Sequence, residues 1–338
     1  MKGSKHVRKL TTLVLAFMIV LTGCAESGSG GGSGAGNLAD KVENLPAGIA
    51  EKDPVKLMVV RKIGGDDHTA QFLAGAKQEG EALGFKVDTF SANGDSAKFH
   101  DAIAQAIDSD YDGFIISHGD DPASVQDVKK ITEKGIPVVT FDSLPEIGDI
   151  AGVTQTSQDD EQLAKLALDK LVEEQGPEAN IVYLWVDGFP PMVRRNAVYQ
   201  ETLKNNPGIK EVERFGVASD QTSLETQNAV SAILTKYPKG EIDAIFATWD
   251  AFAIGAARAL EEAGRTEVKI YGIDVSNADL ELIQKPDSPW VATAAVDPKT
   301  IGAINVRLLA KKIAGEETPA THNLEPVLIE RSDLAGAA

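Results

Sequence analysis

From Val55 onward the chain alternates two textures: short runs that are apolar at nearly every position, and longer stretches in which apolar residues recur every three or four positions. The short runs predict strands at Val55–Val60, Phe85–Phe90, Gly113–Ser117, Pro137–Phe141, Asn180–Val186, Ala244–Thr248, Lys269–Ile273 and Val291–Val296. GFIIS, IPVVTF and DAIFAT do not alternate with polar residues. That is expected of parallel strands covered by helices on both faces. The 3.6-residue pattern predicts helices at Ala70–Leu83, Lys98–Asp108, Ala123–Lys134, Asp159–Glu174, Arg194–Lys204, Ser223–Tyr237, Ala251–Ala263 and Lys299–Ala314. In EALGFKV and EKGIPVV a glycine ends the helix where a left-handed cap is required and the next strand begins at once. The repeated strand–helix units build an α/β fold of doubly wound parallel sheets, with enough units for two of them.

Before this region the texture differs. Lys2, Lys5, Arg8 and Lys9 open the chain, an apolar run follows from Leu10 to Leu21, and Thr22 and Gly23 precede the sole cysteine, Cys24. This is the layout of an export signal. The apolar run is too short for the roughly 20 residues that a membrane-spanning helix needs. A lone cysteine closes no intramolecular disulfide and has no partner thiol for a redox pair or zinc site. From Ser27 to Gly36 the chain is almost wholly Gly and Ser, a composition that behaves as a flexible tether. Within it Gly30-x-Gly32-x-x-Ala35 imitates a dinucleotide fingerprint, but no strand precedes it and no helix opens after it. Polar sequence up to Asp53 continues the linker, leaving about 285 residues, which suits two domains.

The net charge is −18, and removal of the four positive side chains of the leader takes it to −22. Such a surface repels phosphate backbones and anionic lipid heads, so nucleic acid is excluded as a partner and only a lipid anchor would hold the chain to a membrane.

In open parallel sheets ligands bind beyond the carboxyl ends of the strands. There the chain reads RKIGGDDHT, SHGDD, FDS, VDGFPPMVRR, TWD, IDVS and VDP, with aspartate at every end. Carboxylates accept hydroxyl protons, an arginine donates a fixed fork, and a tryptophan lies against an apolar C–H face, so the set suits a polyhydroxylated ligand. Other readings stay open: Asp66 or Asp67 as a helix N-cap, Asp120 and Asp121 as caps of the helix near Ala123, Trp249 and Trp185 as core packing, and His68 as a helix-start residue. No phosphate loop, His-Glu-x-x-His, nucleophile elbow or catalytic thiol is found, so no catalytic residue, metal or cofactor is assigned.

GIPVVTFDS, the arginine-bearing loop before AVYQETL, DAIFATWDAFAIGAARALEEAG, VKIYGIDVS and WVATAAVDPKTIGAINVRLLA come in an order that resembles the ribose-type periplasmic sugar-binding proteins of ABC importers. Leu21-Thr22-Gly23-Cys24 resembles the lipobox of bacterial lipoproteins, which implies cleavage before Cys24 and its acylation. The resemblance implies a periplasmic binding protein type I fold: two lobes joined by three hinge crossings, near Ser157, Asp297 and Glu325, with the ligand clamped between them. The implied parts are a signal at 1–23, a tether at 24–53, an N-terminal lobe of 54–156 plus 298–324, and a C-terminal lobe of 157–297 plus 325–338. The family's binding positions fall on Asp66, His68, Asp142, Arg195, Trp249, Asp250, Asp274 and Asp297; Arg195 matches the second arginine of the family's Arg-x-Arg, with Arg194 beside it, and Ser143 stands where an arginine usually follows the aspartate. Asp66, His68, Ser143, Trp249 and Asp297 depart from the family's pattern, so ribose itself does not follow.

The implied protein is a monomeric, extracytoplasmic, lipid-anchored capture protein that delivers a neutral monosaccharide or polyol to ABC permease subunits. A cationic or other small solute, or sensing for a membrane receptor, is the alternative. Five aspartates against Arg195 make the predicted cleft formally negative, which disfavours anionic sugars.

If Cys24 carries the anchor, Cys24→Ser yields unprocessed precursor or protein released from the membrane fraction. A lipid-labelled mature band in that variant would end the lipobox reading.

Overall fold

The computed structural model describes residues 54–334; the segments expected to form an export signal and tether, with Cys24, lie outside the described residues, as do positions 335–338. The rest folds as two six-stranded sheets. In the first, β2 (Lys86–Ser91), β1 (Lys56–Arg61), β3 (Gly113–Ser117), β4 (Val138–Phe141), β5 (Val153–Gln158) and β11 (Thr321–Leu324) lie side by side, all parallel. In the second the order is β7 (Ile209–Phe215), β6 (Ala179–Leu184), β8 (Ala244–Ala247), β9 (Lys269–Ile273), β10 (Trp290–Ala295) and β12 (Val327–Glu330). Only β12 runs antiparallel to its neighbour.

The unbroken apolar runs are explained by two cores per sheet. Along β1, Leu57 and Val59 enter one core while Met58 and Val60 enter the core on the other face. Along β6, Ile181 and Tyr183 face one layer and Val182 and Leu184 the other. With no face turned to water, the inner positions of these strands are apolar, and polar residues stand only near their ends.

Ten helices with assigned caps connect the strands: α1 (Asp67–Ala82), α2 (Ser96–Ile107), α3 (Pro122–Glu133), α4 (Pro145–Gly148), α5 (Asp160–Gln175), α6 (Pro190–Asn205), α7 (Thr222–Lys236), α8 (Asp250–Ala263), α9 (Asn277–Ile283) and α10 (Pro298–Ile313). A single turn, α11 (Arg331–Leu334), follows β12. The chain passes between the lobes three times: from β5 to α5, from β10 to α10, and from β11 to β12. Thus α10, although it follows the second sheet in sequence, packs on α1, β3 and β4 of the first.

Four strands escape the hydrophobic pattern. VTQTSQ of β5 buries Thr154, Thr156 and Gln158 and satisfies the hydroxyls: Thr156 shares its one proton between Thr140 O at 3.0 Å and Asn305 Oδ1 at 2.8 Å. IKEVERF of β7 is an outer strand, half solvated. β11 and β12 are four-residue ribbons at the crossings. Helix α6 starts at Pro190, ahead of the predicted Arg194, because proline at the first turn has no amide to leave unpaired.

The crossing of α1 with α10 depends on two glycines. A Cβ at Gly75 would stand 2.2 Å from Lys299 O, and one at Gly302 would stand 2.2 Å from Phe72 O. In an open helix Gly→Ala gains up to about 1 kcal/mol. Here the backbone clash dominates, and Gly75→Ala is expected to destabilise by about 1–3 kcal/mol in chemical denaturation. Stability equal to or above the parent would show that the two helices are free to separate.

Candidate functional site

The carboxyl ends of the two sheets face each other across a cavity of about 60 Å³, room for several water-sized groups. Asp66, His68, Asp142, Arg195, Trp249 and Asp274 all line it. The other two residues assigned from the sequence do not. Asp250 is buried in the first turn of α8, where its Oδ1 accepts from Ala251 N at 2.7 Å, and it borders an adjoining cleft. Asp297 caps α10, accepting from Thr300 N at 2.7 Å, outside the cavity lining.

Arg195, buried on α6, organises the C-terminal side. Its Nε donates to Asp160 Oδ1 at 2.8 Å, Nη1 to Thr248 O at 2.6 Å and Asp274 Oδ2 at 3.2 Å, and Nη2 to Asp274 Oδ1 at 3.3 Å. Burial alone would lower its pKa, but Asp274 and Asp160 outweigh burial and hold the guanidinium above its ordinary value. Arg194 completes the cluster, donating to Asp160 Oδ2 at 2.6 Å and lying 4.0 Å from Asp142.

A second arginine faces it from the N-terminal lobe. Arg61, the last residue of β1, is only 1% exposed and donates to Thr69 Oγ1 and Ser117 Oγ, both at 3.1 Å, with Phe72 beneath it at 4.8 Å. Burial lowers its pKa, and Asp66 and Asp142 counter that. Its Nη2 lies 3.3 Å from His68 Nδ1. Arginine only donates, so Nδ1 is the acceptor and the imidazole proton sits on Nε2. Burial, then Arg61, lowers the pKa of His68, so the ring is neutral.

Three buried polar atoms around the cavity have no hydrogen-bond partner: His68 Nε2, Asp142 Oδ1 and Gln158 Oε1. Burial, then the nearby Asp160, pushes the Asp142 carboxyl well above the usual carboxylate range. Three non-glycine residues at strand ends here also have left-handed backbones: His118 (φ 62°), Asp142 (φ 46°) and Asp274 (φ 75°). Each costs of order 1 kcal/mol or more and aims a side chain into the cleft.

The lobes touch directly across this site. Gln158 Nε2 donates to Asp274 Oδ1 at 3.2 Å, and Ala278 N of α9 donates to Asp67 Oδ2 at 3.1 Å. Asp66 is the N-cap of α1, its Oδ1 accepting from Thr69 N at 2.5 Å, and it lines the cavity as well. Asp121 caps α3, while Lys62 holds Asp120. Trp185 packs beside Tyr183 and donates from Nε1 to Met192 O at 2.8 Å. Among the described residues no group of three or more His, Cys, Asp or Glu is arranged to hold a metal ion.

Sequence reasoning missed Arg61, His118 and Gln158, together with Val186, Phe189 and Met192. A charged residue closing the apolar run LMVV was the available signal for Arg61. Gln158 lay in a strand with no apolar pattern to reveal it.

Residues 57–317 match the family described as periplasmic binding protein domain. The chain belongs to the periplasmic binding protein family. This bears out the resemblance carried by the ordered segments, and the family places such proteins outside the cytoplasm. This periplasmic binding protein is 27% identical to the ribose import binding protein of Salmonella typhimurium over 263 residues, covering 75% of this chain and 83% of that protein. The crystal structure of a sugar ABC transporter protein from Yersinia enterocolitica superposes with a TM-score of 0.82 at 52% identity, covering 86% of this chain and 88% of that one. The 5-methylthioribose transporter solute-binding protein of Thermotoga lettingae, solved with 5-methylthioribose, gives 0.78 at 34% identity, covering 83% and 88%.

Behind the site, Asp279 of α9 is fully buried with neither carboxylate oxygen hydrogen-bonded. Burial raises its pKa from 3.8 to about 7. Burial, then Asp279, raises Asp250 in the same sense. Between those values the folded state keeps a proton that the unfolded chain has lost, so stability is greatest at the acid end of the window and falls as pH rises. Each pH unit costs up to about 1.4 kcal/mol per group. The melting temperature is expected to drop from pH 5 to pH 7.5, with a shallower drop in Asp279→Asn. A melting temperature that climbs with pH in the parent would contradict a protonated Asp279.

Proposed function

We propose that this periplasmic binding protein captures a neutral monosaccharide or polyol between its lobes and hands it to the permease of an ABC importer, without catalysis. One observation carries the reading. The full charges of the site are already answered within the protein, Arg195 by Asp160 and Asp274 and Arg61 by the nearby Asp66, while what lacks a partner is a neutral imidazole N–H, a raised carboxyl and an amide oxygen. Hydroxyl groups both donate and accept, and so match this mixed set. The arrival of Arg61 and the displacement of Asp250 and Asp297 leave the cleft close to charge balance rather than strongly negative. That weakens the case for a cationic ligand. The ribose and 5-methylthioribose named for its relatives support a polyhydroxylated ligand.

In this reading the lobes rotate about the three crossings to admit the ligand, the first boundary falling after Gln158 at the end of β5 rather than after 156. Asp66, His68, Asp142, Arg195, Trp249 and Asp274 contact it. The protein acts as a monomer, tethered through an acylated Cys24. Sensing for a membrane receptor uses the same capture step.

Calorimetry with neutral sugars and polyols, sugar phosphates and small amines tests the proposal. Neutral ligands are expected to bind and phosphates to fail, and Asp142→Ala is expected to weaken the neutral ligand by about 1–3 kcal/mol. An amine or a phosphate that binds more tightly than every neutral sugar overturns it.

A further inference from the structure

The cavity is polar at one end only. Following the second sheet outward from β9, the residues at the strand ends change from Asp274 to Trp249 after β8, then Val186 and Met192 around β6, then Ala218 after β7. The unpartnered atoms of His68, Asp142 and Gln158 belong to the first lobe, where β1, β4 and β5 end. Opposite the charged pair the side chains offer neither donor nor free acceptor, apart from the indole N–H of Trp249.

Four backbone carbonyls there are engaged as well. Phe189 O accepts from Val193 N at 3.0 Å, Met192 O from Trp185 Nε1 at 2.8 Å, Thr248 O from Arg195 at 2.6 Å, and Trp249 O from Phe252 N at 3.1 Å. A hydroxyl buried against this wall would give up its water for nothing in return. Ile63, Phe189, Ala218 and Trp249 also border an outer cleft of about 220 Å³, so the apolar wall forms a collar between the inner chamber and the mouth.

We propose, resting on the sugar reading, that the ligand is a sugar with one apolar terminus: a deoxy, alkyl or alkylthio sugar whose hydroxyls meet His68, Asp142 and Gln158 while its apolar end lies in the collar formed by Met192, Val186, Phe189 and Trp249. The collar opens outward, so it accepts substituents longer than a methyl group. Met192, unbranched and polarizable, adapts to their shape.

The test is calorimetry with D-ribose and D-allose as parents against derivatives carrying deoxy, O-methyl, O-ethyl or O-propyl groups at either end of the sugar. At least one terminal derivative is expected to bind about 10- to 200-fold more tightly than its parent. In Met192→Gln, which keeps the volume and adds polarity, that preference is expected to shrink to within about threefold. Parents that bind as tightly as, or more tightly than, all their derivatives overturn the apolar terminus and leave the sugar reading standing. A preference unchanged in Met192→Gln overturns the collar as its seat. Failure of parents and derivatives alike overturns both readings.

Discussion

The Arg195 guanidinium fixes the rest of the site. It sits on α6, yet its donors reach the start of α5, the end of β8 and the residue after β9. A buried charge of this kind tolerates no missing partner; removing one side of such a pair typically costs about 3–5 kcal/mol. Three segments distant in sequence are therefore held to one another before any ligand arrives. One of them, Asp160, lies immediately after the first crossing between lobes, so the same guanidinium that shapes the pocket also anchors the end of a hinge strand.

The N-terminal lobe has a looser counterpart. Arg61 is held by hydroxyls and an imidazole rather than by directly bonded carboxylates, and its neighbours His68 and Asp142 keep unused hydrogen-bonding capacity. The asymmetry has a chemical meaning. The C-terminal side brings a finished ion-pair network and an apolar collar, and the N-terminal side brings the open donors and acceptors. A ligand is complementary to the pair of lobes and to neither alone.

Most of the fold was legible because parallel strands covered on both faces leave no choice but apolar runs, and eight such runs fall within two residues of observed strands. The strands that escaped, β5, β7, β11 and β12, are those whose neighbours let them be polar: an inner strand with its hydroxyls satisfied, an outer strand, and the crossing ribbons. In the site, aspartates at strand ends were visible because position and chemistry coincide. Asp250 and Asp297 illustrate the limit, since residues at the start of a helix also face inward or bond their own backbone amides, and spacing alone does not separate these uses. His118 and Gln158 depended on contacts between segments that no local pattern encodes, whereas the charge closing β1 was a local sign of Arg61. The left-handed backbones of His118, Asp142 and Asp274 left no trace in the sequence beyond residue types that tolerate them.

The path of α10 has a consequence for how the molecule comes into being. The first sheet lacks the cover of its central strands until Ile301, Ile304 and Leu309 arrive, and its last strand is β11 at Thr321–Leu324. The second sheet is itself unfinished until β12. The lobe that begins first is therefore completed only after nearly the whole chain exists. A growing or half-exported polypeptide presents two partial sheets with bare apolar faces, and neither lobe is a unit that a single cut could release. The core on the α1–α10 face of the first sheet therefore closes late, when the final forty residues supply Ile301, Ile304 and Leu309.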